Sequence, residues 1–512
     1  MTDVAAEAGE LPWMLSARAL AKRIAQGELS AREAMEAHIS RIEEVNPALN
    51  AVVWKRYEQA REEAGEVDRR RARGDVLGAL AGVPITIKEC LDLTGSPSTF
   101  GVPARKTHRA ERDDEYVSRL RAAGAIVLGK TNAAQCLLFV ESDNPLYGRS
   151  NHPEDIERSP GGSSGGQAAI VAAGGSPLGL GTDIGGSNRV PAAFCGIVGL
   201  KPTAGRTPDP GRGSIPIGQL AVVSQVGVFA RSVDDAALGL QIAAPFEGTA
   251  PLRDFRHVEM AKLRIGYFIQ DGVFAPSAAY GRATQEAAET LGRLGARTVE
   301  LKAPSPQEAF EIFYRLLCAD RMAGVRRFLG DSPRMKQIEQ LERLARTPVP
   351  LLPVVRFLLR LSGRRKTSEV VECFGRYSAD AYWTACERQL DYRARWLRTL
   401  DEQGVDAVLS PATALPAVKH GATLEVGLIG AYACLYNVLG WPAGVVPVTR
   451  VRADEETATA RGEDVSDRTA LETEKGSAGL PIAVQIAARP WREDLVLGVM
   501  AALEQVSSFR VR

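Results

Sequence analysis

The sequence predicts an α/β protein in which helices cover a mixed or largely parallel sheet. Short apolar segments rich in β-branched residues alternate with amphipathic helical stretches along most of the 512 residues. The apolar content of 45% is enough to build a large core. Because no linker separates independent units, we expect a single domain over 1–512.

Helices dominate the first part of that domain, 15–65. Apolar residues three and four positions apart predict two helices within 15–46, joined at Gly27. Ser30 is the expected N-cap of the second helix. The Asn46-Pro47 dipeptide is predicted to stop it.

Strands belong to a core region, 75–300, and return in 401–512, where a last helix completes the core. Strand character is strongest in the segments 82–90, 123–132, 262–268, 406–416 and 479–488. Between the two strand regions, 305–400 is predicted to be a helical insert or cap. The charge-dense segment 451–478 has little apolar content, which predicts a mobile surface loop.

The composition argues against several functional classes. With 63 basic and 62 acidic residues, the net charge of +1 gives no support for a nucleic-acid partner. The first thirty residues lack an apolar signal-peptide core, and no window of about twenty apolar residues could span a bilayer. The seven cysteines form no CxxC pair, which argues against a zinc cluster or a disulfide framework. We therefore expect a cytoplasmic protein with reduced thiols.

A glycine-dense stretch, 159–203, carries the most informative chemistry. Ser163 and Ser164 lie in GGSSGG, and Ser187 follows in GTDIGGS. Glycines beside a serine let backbone amides approach a ligand closely, as an anion hole or a phosphate cradle requires. The stretch lacks the lysine of a Walker loop, and its GxGxxxG spacing is one residue too long for a dinucleotide fingerprint.

Lys88 is the best candidate for a catalytic base. It follows the apolar strand segment 83–87, where burial would lower the pKa of its amine and leave it able to accept a proton. No histidine has the apolar, glycine-framed context of a catalytic loop, which weakens a Ser-His-Asp triad. The histidines are His38, His108, His152, His257 and His420. Cys90 has no histidine near it in the sequence and is interpreted as a packing residue.

The sequence resembles the amidase signature family over nearly its full length. The likeness is carried by GVPITIKECLDLTG, GTDIGGSNRVPAAFCGIVGLKPT, YNVLGWPAGVVPVT and GLPIAVQIAARPW, and within the family it is nearest to the branch of fatty-acid amide hydrolases and their bacterial relatives. The resemblance implies the amidase-signature fold, in which a central mixed, twisted β-sheet is flanked by helices, with 305–400 as its helical insert.

The resemblance also implies a Ser-Ser-Lys triad. Ser187 would be the nucleophile, Lys88 the neutral base and Ser163 the serine that bridges them, with a cis peptide bond before it. The implied oxyanion hole consists of the backbone amides of Ile184, Gly185, Gly186 and Ser187. The residues implied to hold the loop in place are Gly162, Ser164, Thr182, Asp183 and Arg189. No metal and no organic cofactor is implied.

Asn188 departs from the family pattern, because an aliphatic residue is usual at this position. An amide side chain beside the nucleophile is expected to make the local pocket more polar.

The implied function is hydrolysis of linear carboxylic amides, with apolar acyl or aryl groups, through an acyl-enzyme on Ser187. A carbamate or ester hydrolase of the same family is an alternative, because the acyl-transfer chemistry is shared. An alternative of another class is an amidotransferase component of Gln-tRNA or Asn-tRNA synthesis, which needs partner subunits. A catalytically inactive binding protein of the same fold is a further alternative. The sequence leaves the acyl-chain length, the leaving group and a homodimer open.

The segment 347–366 could contact a membrane. It joins a run of seven apolar residues to five basic ones, the pattern of a helix lying in a membrane interface. The resemblance to fatty-acid amide hydrolases, in which the matching region forms a membrane-contacting cap, supports a peripheral membrane contact. The favoured interpretation is nevertheless a helix that covers the protein's own core or a subunit contact.

Overall fold

A computed structural model describes residues 11–207, 215, 218–244, 248–374 and 378–510. The strands are β1 (Val52–Lys55), β2 (Pro84–Lys88), β3 (Ile126–Thr131), β4 (Leu178–Asp183), β5 (Val198–Lys201), β6 (Gln225–Ala230), β7 (Arg264–Tyr267), β8 (Arg297–Glu300), β9 (Ala407–Pro411), β10 (Ala443–Arg450) and β11 (Pro481–Ala488). They form one sheet in the order β1-β3-β2-β4-β6-β5-β10-β11-β9-β7-β8. The expectation of a single domain over 1–512 stays a prediction.

The sheet is mixed, which confirms the predicted fold class. β3, β2 and β4 run parallel to one another, and so do β9, β7 and β8. The strands between these two groups pair antiparallel. Every residue of β2, β3, β4 and β6 is buried, as expected for strands that are covered on both faces.

Helices pack around this sheet. They are α1 (Ala17–Gln26), α2 (Ala31–Leu49), α3 (Tyr57–Ala72), α4 (Glu115–Ala122), α5 (Gly165–Ala172), α6 (Arg189–Cys195), α7 (Val233–Ala243), α8 (Ala278–Arg293), α9 (Pro306–Leu317), α10 (Ala323–Leu329), α11 (Lys336–Arg346), α12 (Leu352–Leu361), α13 (Arg365–Glu372), α14 (Ala379–Glu402), α15 (Thr423–Val426), α16 (Ala431–Leu439), α17 (Val465–Glu474) and α18 (Glu493–Val506). α9 to α14 occupy the predicted insert between β8 and β9, and its described residues contain no strand. None of the helices in the described ranges is both long and apolar enough to cross a membrane.

The two N-terminal helices form as predicted, but the second ends later. Gly27 adopts a left-handed conformation between α1 and α2, and Ser30 caps α2 in a capping box with Glu33. The predicted stop at Asn46-Pro47 is wrong, because α2 continues through Pro47 to Leu49. A proline in the last turn removes one backbone donor only, and the helix tolerates the loss there.

The segment 451–478 is not the mobile loop that its charge predicts. It contains α17, and several of its charged side chains are buried in ion pairs, with one another or with residues outside the segment. Arg461 and Glu474, both almost fully buried, form an ion pair of 2.7 Å. Arg158, from outside the segment, donates to the carbonyl of Thr473 at 2.8 Å. Charge density alone therefore gave the wrong prediction.

The helix predicted within 347–366 is α12, and its apolar face is exposed. Leu352 is the one buried residue of α12. The exposed apolar residues, each between 51% and 69% accessible, are Leu351, Val354, Phe357, Leu358 and Leu361. The interpretation that this helix covers the protein's own core is therefore wrong. Among the residues that the structure describes, this apolar face is left uncovered, a feature typical of contact surfaces.

Candidate active site

Lys88 lies at the carboxyl end of β2, in the parallel part of the sheet. Its side chain is fully buried, and its Nζ lies 2.8 Å from Ser163 Oγ and 2.9 Å from Thr182 Oγ1. Thr182 belongs to the neighbouring strand β4, so the strand pairing itself brings the lysine and the threonine together. Desolvation by burial lowers the pKa of Lys88 to about 8. A large fraction of this amine is therefore neutral at weakly alkaline pH.

Ser163 and Ser187 each lie just before a short helix. Ser163 precedes α5 and Ser187 precedes α6, and both serines line one cavity. The peptide bond between Gly162 and Ser163 is cis, as the resemblance implied. Gly162 has no room for a side chain, because a Cβ there would lie 2.7 Å from the backbone nitrogen of Glu141. The tight backbone packing fixes the approach of Ser163 to Lys88.

Asp183 and Arg189 form a fully buried ion pair behind the Ser187 loop. Arg189 donates to both carboxylate oxygens of Asp183 at 3.0 Å. Although desolvation raises the pKa of Asp183, the charge and hydrogen bonds of Arg189 outweigh it and hold this pKa well below its usual range. Asn437 donates to Asp183 Oδ1 at 2.9 Å, and Gln485 accepts from Arg189 at 2.6 Å. Both charges are thus fully paired, as burial requires.

The carboxylate of Asp183 shapes the loop that carries the predicted oxyanion hole. It accepts from the backbone amide of Gly186 at 2.8 Å and from that of Asn188 at 3.2 Å. The amides of Gly185 and Ser187 have no acceptor among the residues that the structure describes. These two amides can therefore donate to a ligand without giving up a bond to the protein.

Two apolar cavities meet at Ser187. The first, which we name the Gly185 cavity, holds about 160 Å³ and extends from Gly185 toward α11, α13 and α15. The second, which we name the Ser163 cavity, holds about 120 Å³ and extends from Ser163 toward α10. The cavities share the side chains of Ile184, Ser187, Phe313, Tyr314 and Leu341. The insert helices thus supply much of both walls, and a substrate with two arms could occupy both cavities.

The expected effect of Asn188 on pocket polarity is wrong. Its side chain is fully buried below the loop, where Nδ2 donates to the carbonyl of Leu200 at 3.4 Å. Its Oδ1 accepts from Ser164 Oγ at 3.5 Å, and Ser164 also donates to the carbonyl of Thr182. Asn188 lines neither cavity, so its amide acts on the sheet side of the loop.

Histidine and cysteine nucleophile chemistry gains no support from the geometry. No histidine lines either cavity at Ser187. His152 is fully buried and bonded through Nε2 to the carbonyl of Phe194. Cys90 is buried, and desolvation raises the pKa of its thiol to about 12, so it is protonated at neutral pH. The interpretation of Cys90 as a packing residue agrees with this burial.

Two buried carboxylates that the sequence did not single out position the loops around the site. Glu89, next to Lys88, accepts from the amides of Thr99 and Phe100 at 2.7 and 2.9 Å. Glu141 accepts from the amide of Thr423, a residue of the Gly185 cavity, at 3.0 Å. Only the place of Glu89 inside the GVPITIKEC motif could have drawn attention to it from the sequence.

Known proteins match the chain over nearly its whole length. The model of the amidase family matches residues 33–497. The chain is 33% identical to fatty-acid amide hydrolase 1 of Sus scrofa, across 95% of this chain and 85% of that protein. It is 30% identical to a glutamyl-tRNA(Gln) amidotransferase subunit of Carboxydothermus hydrogenoformans, across 97% of this chain and 98% of that protein.

A solved structure shares the fold. A fatty acid amide hydrolase superposes with a TM-score of 0.82 at 23% identity, across 98% of this chain and 86% of that chain. The family match and the relatives extend over nearly the whole sequence. The chain therefore belongs to the amidase signature family of amide-hydrolysing enzymes.

Proposed function

We propose that the chain hydrolyses carboxylic amides with apolar acyl or aryl groups through an acyl-enzyme on Ser187. The observation that carries this proposal is the 2.8 Å contact between Lys88 Nζ and Ser163 Oγ in a fully buried site. A lysine with a pKa of about 8 can act as a general base near neutral pH. Ser163 lies between this base and the cavity that it shares with Ser187.

Acylation begins with a proton relay. Neutral Lys88 takes the proton of Ser163 while Ser163 takes the proton of Ser187. The Oγ of Ser187 then forms a bond to the carbonyl carbon, and an electron pair moves onto the carbonyl oxygen. The amides of Ile184, Gly185 and Ser187 are the proposed donors to this oxyanion. The amide of Gly186, which the resemblance also assigned to the oxyanion hole, donates to Asp183 instead and orients the loop.

The relay then runs in reverse. Ser163 gives its proton to the leaving nitrogen and recovers one from the Lys88 ammonium, while the carbon–nitrogen bond breaks and the amine departs. A water molecule attacks the acyl-enzyme by the same route, which releases the carboxylic acid and restores Ser187. Thr182 accepts a hydrogen bond from Lys88 and so holds the amine in line with Ser163.

The composition of both cavities favours an apolar substrate. Their walls consist mostly of aliphatic and aromatic side chains. Binding of a hydrocarbon group there is favourable because it removes apolar surface from water. The relative from Sus scrofa is named for fatty-acid amides, which agrees with such a substrate. Carbamates and esters would use the same relay and remain an alternative, decided by comparing the three leaving groups on one acyl chain.

The amidotransferase alternative rests on relatives of similar identity. It predicts that the isolated chain is inactive on simple amides and associates stably with partner subunits. The apolar walls around Ser187 favour the hydrolase, because an amidotransferase substrate such as glutamine is polar and charged. Turnover of an acyl anilide by the isolated chain separates the two.

A Ser187→Ala variant tests the nucleophile. We expect loss of amide turnover and of fluorophosphonate labelling, with an unchanged melting temperature because the residue lies in a loop. Ser118→Ala is the matched control, since Ser118 is an exposed residue of α4 and lines neither cavity. Near wild-type hydrolysis by Ser187→Ala would contradict the proposal.

We further infer a peripheral membrane contact through the exposed apolar face of α12, in a protein of the cytoplasm. Leu351, Val354, Phe357, Leu358 and Leu361 recur at helical spacing, and arginines border them. The cysteines form no disulfide among the described residues, which supports a reducing compartment. Burial of the same face between two copies of the chain is the competing explanation.

A further inference from the structure

We infer that the Ser163 cavity binds the leaving amine of the substrate, and that this amine carries an apolar alkyl or aryl group. The inference rests on the proposed function and extends it to the leaving-group side. It assigns to each cavity one arm of the substrate, with the acyl arm in the Gly185 cavity.

The direction of the two arms follows from the position of the proton donor. The leaving nitrogen receives its proton from Ser163 and must lie within about 3 Å of that hydroxyl. Ser163 and Thr182 line the Ser163 cavity and are absent from the wall of the other cavity. Gly185, whose amide has no acceptor among the described residues, lines the Gly185 cavity. A carbonyl group bound at Ser187 therefore directs its nitrogen substituent into the Ser163 cavity.

The wall of the Ser163 cavity is suited to hydrocarbon. Beyond the shared residues, it consists mainly of Leu137, Leu138, Ile215, Leu317, Met322 and Val325. No charged side chain occurs among its described residues. Among the described residues, the polar side chains of this wall are the hydroxyls of Ser163, Thr182, Ser187 and Tyr314 and the thiols of Cys136 and Cys318. A hydroxyl or ammonium group on the leaving amine that lies out of their reach would lose its water without gaining a side-chain partner, which is unfavourable.

The Gly185 cavity has a different character. Its wall includes Gln337, Gln340, Thr423 and Glu425, so it offers hydrogen-bonding groups beside its apolar surface. Glu425 is paired with Arg364 at 2.9 Å. An acyl arm with amide or hydroxyl groups can therefore be accommodated on this side. We therefore expect the substrate to need an apolar group on its leaving amine, and to tolerate polar groups on its acyl arm.

A matched pair of substrates tests the assignment. N-propyl hexanamide and N-(2-hydroxyethyl) hexanamide have the same acyl chain and the same number of heavy atoms. Ethanolamine is the less basic amine and the chemically better leaving group, so a preference for the propyl amide must come from binding. We expect kcat/KM to be at least about tenfold higher for the propyl amide, and about threefold higher for each further methylene on the amine. An equal or reversed preference would overturn the inference.

Two variants locate the effect. Val325→Trp fills the Ser163 cavity and should reduce the hexyl-to-methyl ratio of kcat/KM for the leaving amine at least about tenfold. Leu344→Trp, in the Gly185 cavity, is the matched control and should reduce the preference for long acyl chains instead. If Val325→Trp alters acyl preference and spares the amine series, the arms are reversed and the inference is wrong.

A third variant tests the inference even if Val325→Trp does not fold. Leu138 is only half-buried, so Leu138→Asn introduces a polar group with little demand on packing. This variant should lower the ratio of kcat/KM for the propyl amide to kcat/KM for the hydroxyethyl amide. An unchanged ratio would count against the inference. Lack of turnover of every amide by the wild-type enzyme would refute the proposed function itself, and this inference with it. Turnover with a preference for the hydroxyethyl amide would refute this inference alone.

Discussion

The Ser187 loop and the helical insert solve different problems with different chemistry. In the loop, every charge is paired and buried, and Asp183 alone accepts from Arg189, Asn437 and two backbone amides. In the insert, α12 leaves an apolar face exposed, while α9 to α11 supply the walls of two cavities. The contrast teaches that reactivity depends on a rigid polar network, and selectivity on apolar surfaces that can change without disturbing it.

The largest expected effect comes from removing the base of the polar network. Lys88→Met keeps the length and apolar stem of the side chain but cannot accept a proton. We expect kcat/KM for an acyl anilide to fall by about 10²–10⁴-fold, the usual contribution of a general base. Steady-state kinetics measures the loss, with a melting curve to show that the variant is folded. A loss below tenfold would remove Lys88 from the mechanism.

The next effect is on stability, and it separates the loop from the insert. Asp183→Asn leaves the charge of Arg189 buried without its partner. We expect the free energy of unfolding to fall by about 3–5 kcal/mol, as measured by chemical denaturation. The exposed ion pair of Arg395 with Asp391 is the matched control, and Asp391→Asn should cost less than about 1 kcal/mol. Equal losses in the two variants would contradict the contrast between the regions.

The pH dependence of acylation follows from the neutral lysine. Burial lowers the pKa of Lys88 to about 8, and the relay needs the unprotonated amine. We expect kcat/KM to rise about tenfold per pH unit below about 8 and to level off above it. A kcat/KM that falls as pH rises through 8 would mean that the protonated lysine is the active form. Near-UV circular dichroism at each pH would control for loss of folded enzyme.

The smallest effect on turnover is expected from the exposed face of the insert. Phe357→Glu places a charge on the apolar face of α12 and should weaken co-sedimentation with phosphatidylcholine vesicles several-fold. Because Phe357 lines neither cavity, kcat on a water-soluble anilide should change less than about twofold. Val76→Glu, at an exposed apolar residue outside α12, serves as the charge-matched control. If the wild-type protein does not bind vesicles but sediments as a dimer, the exposed face of α12 is a subunit contact and not a membrane contact.

The sequence predicted the fold class and brought attention to Lys88, Ser163 and Ser187, because those residues lie in long, specific motifs. It did not predict that Asn437 and Gln485 complete the buried pair of Asp183 and Arg189. Such contacts join residues about 250 to 300 positions apart, and they depend on how the strands align.

The errors have a common physical origin. The charged residues of 451–478 were expected to face solvent, and the side chain of Asn188 was expected to face the ligand. Instead, Arg461 pairs with Glu474, and Asn188 donates to a backbone carbonyl inside the protein. At α12 the reverse occurred, because an apolar face that suggested burial is exposed. Residue type indicates what a side chain needs, but tertiary packing decides what meets that need.

The central claim is that Ser187 carries the acyl group. Its most direct test is intact-protein and peptide mass spectrometry after acid quench of the enzyme with a p-nitrophenyl hexanoate ester, whose rapid acylation lets the intermediate accumulate. We predict one added hexanoyl group on the peptide that contains Ser187, and none in the Ser187→Ala variant. An acyl group on another residue, or its persistence in that variant, would contradict the account.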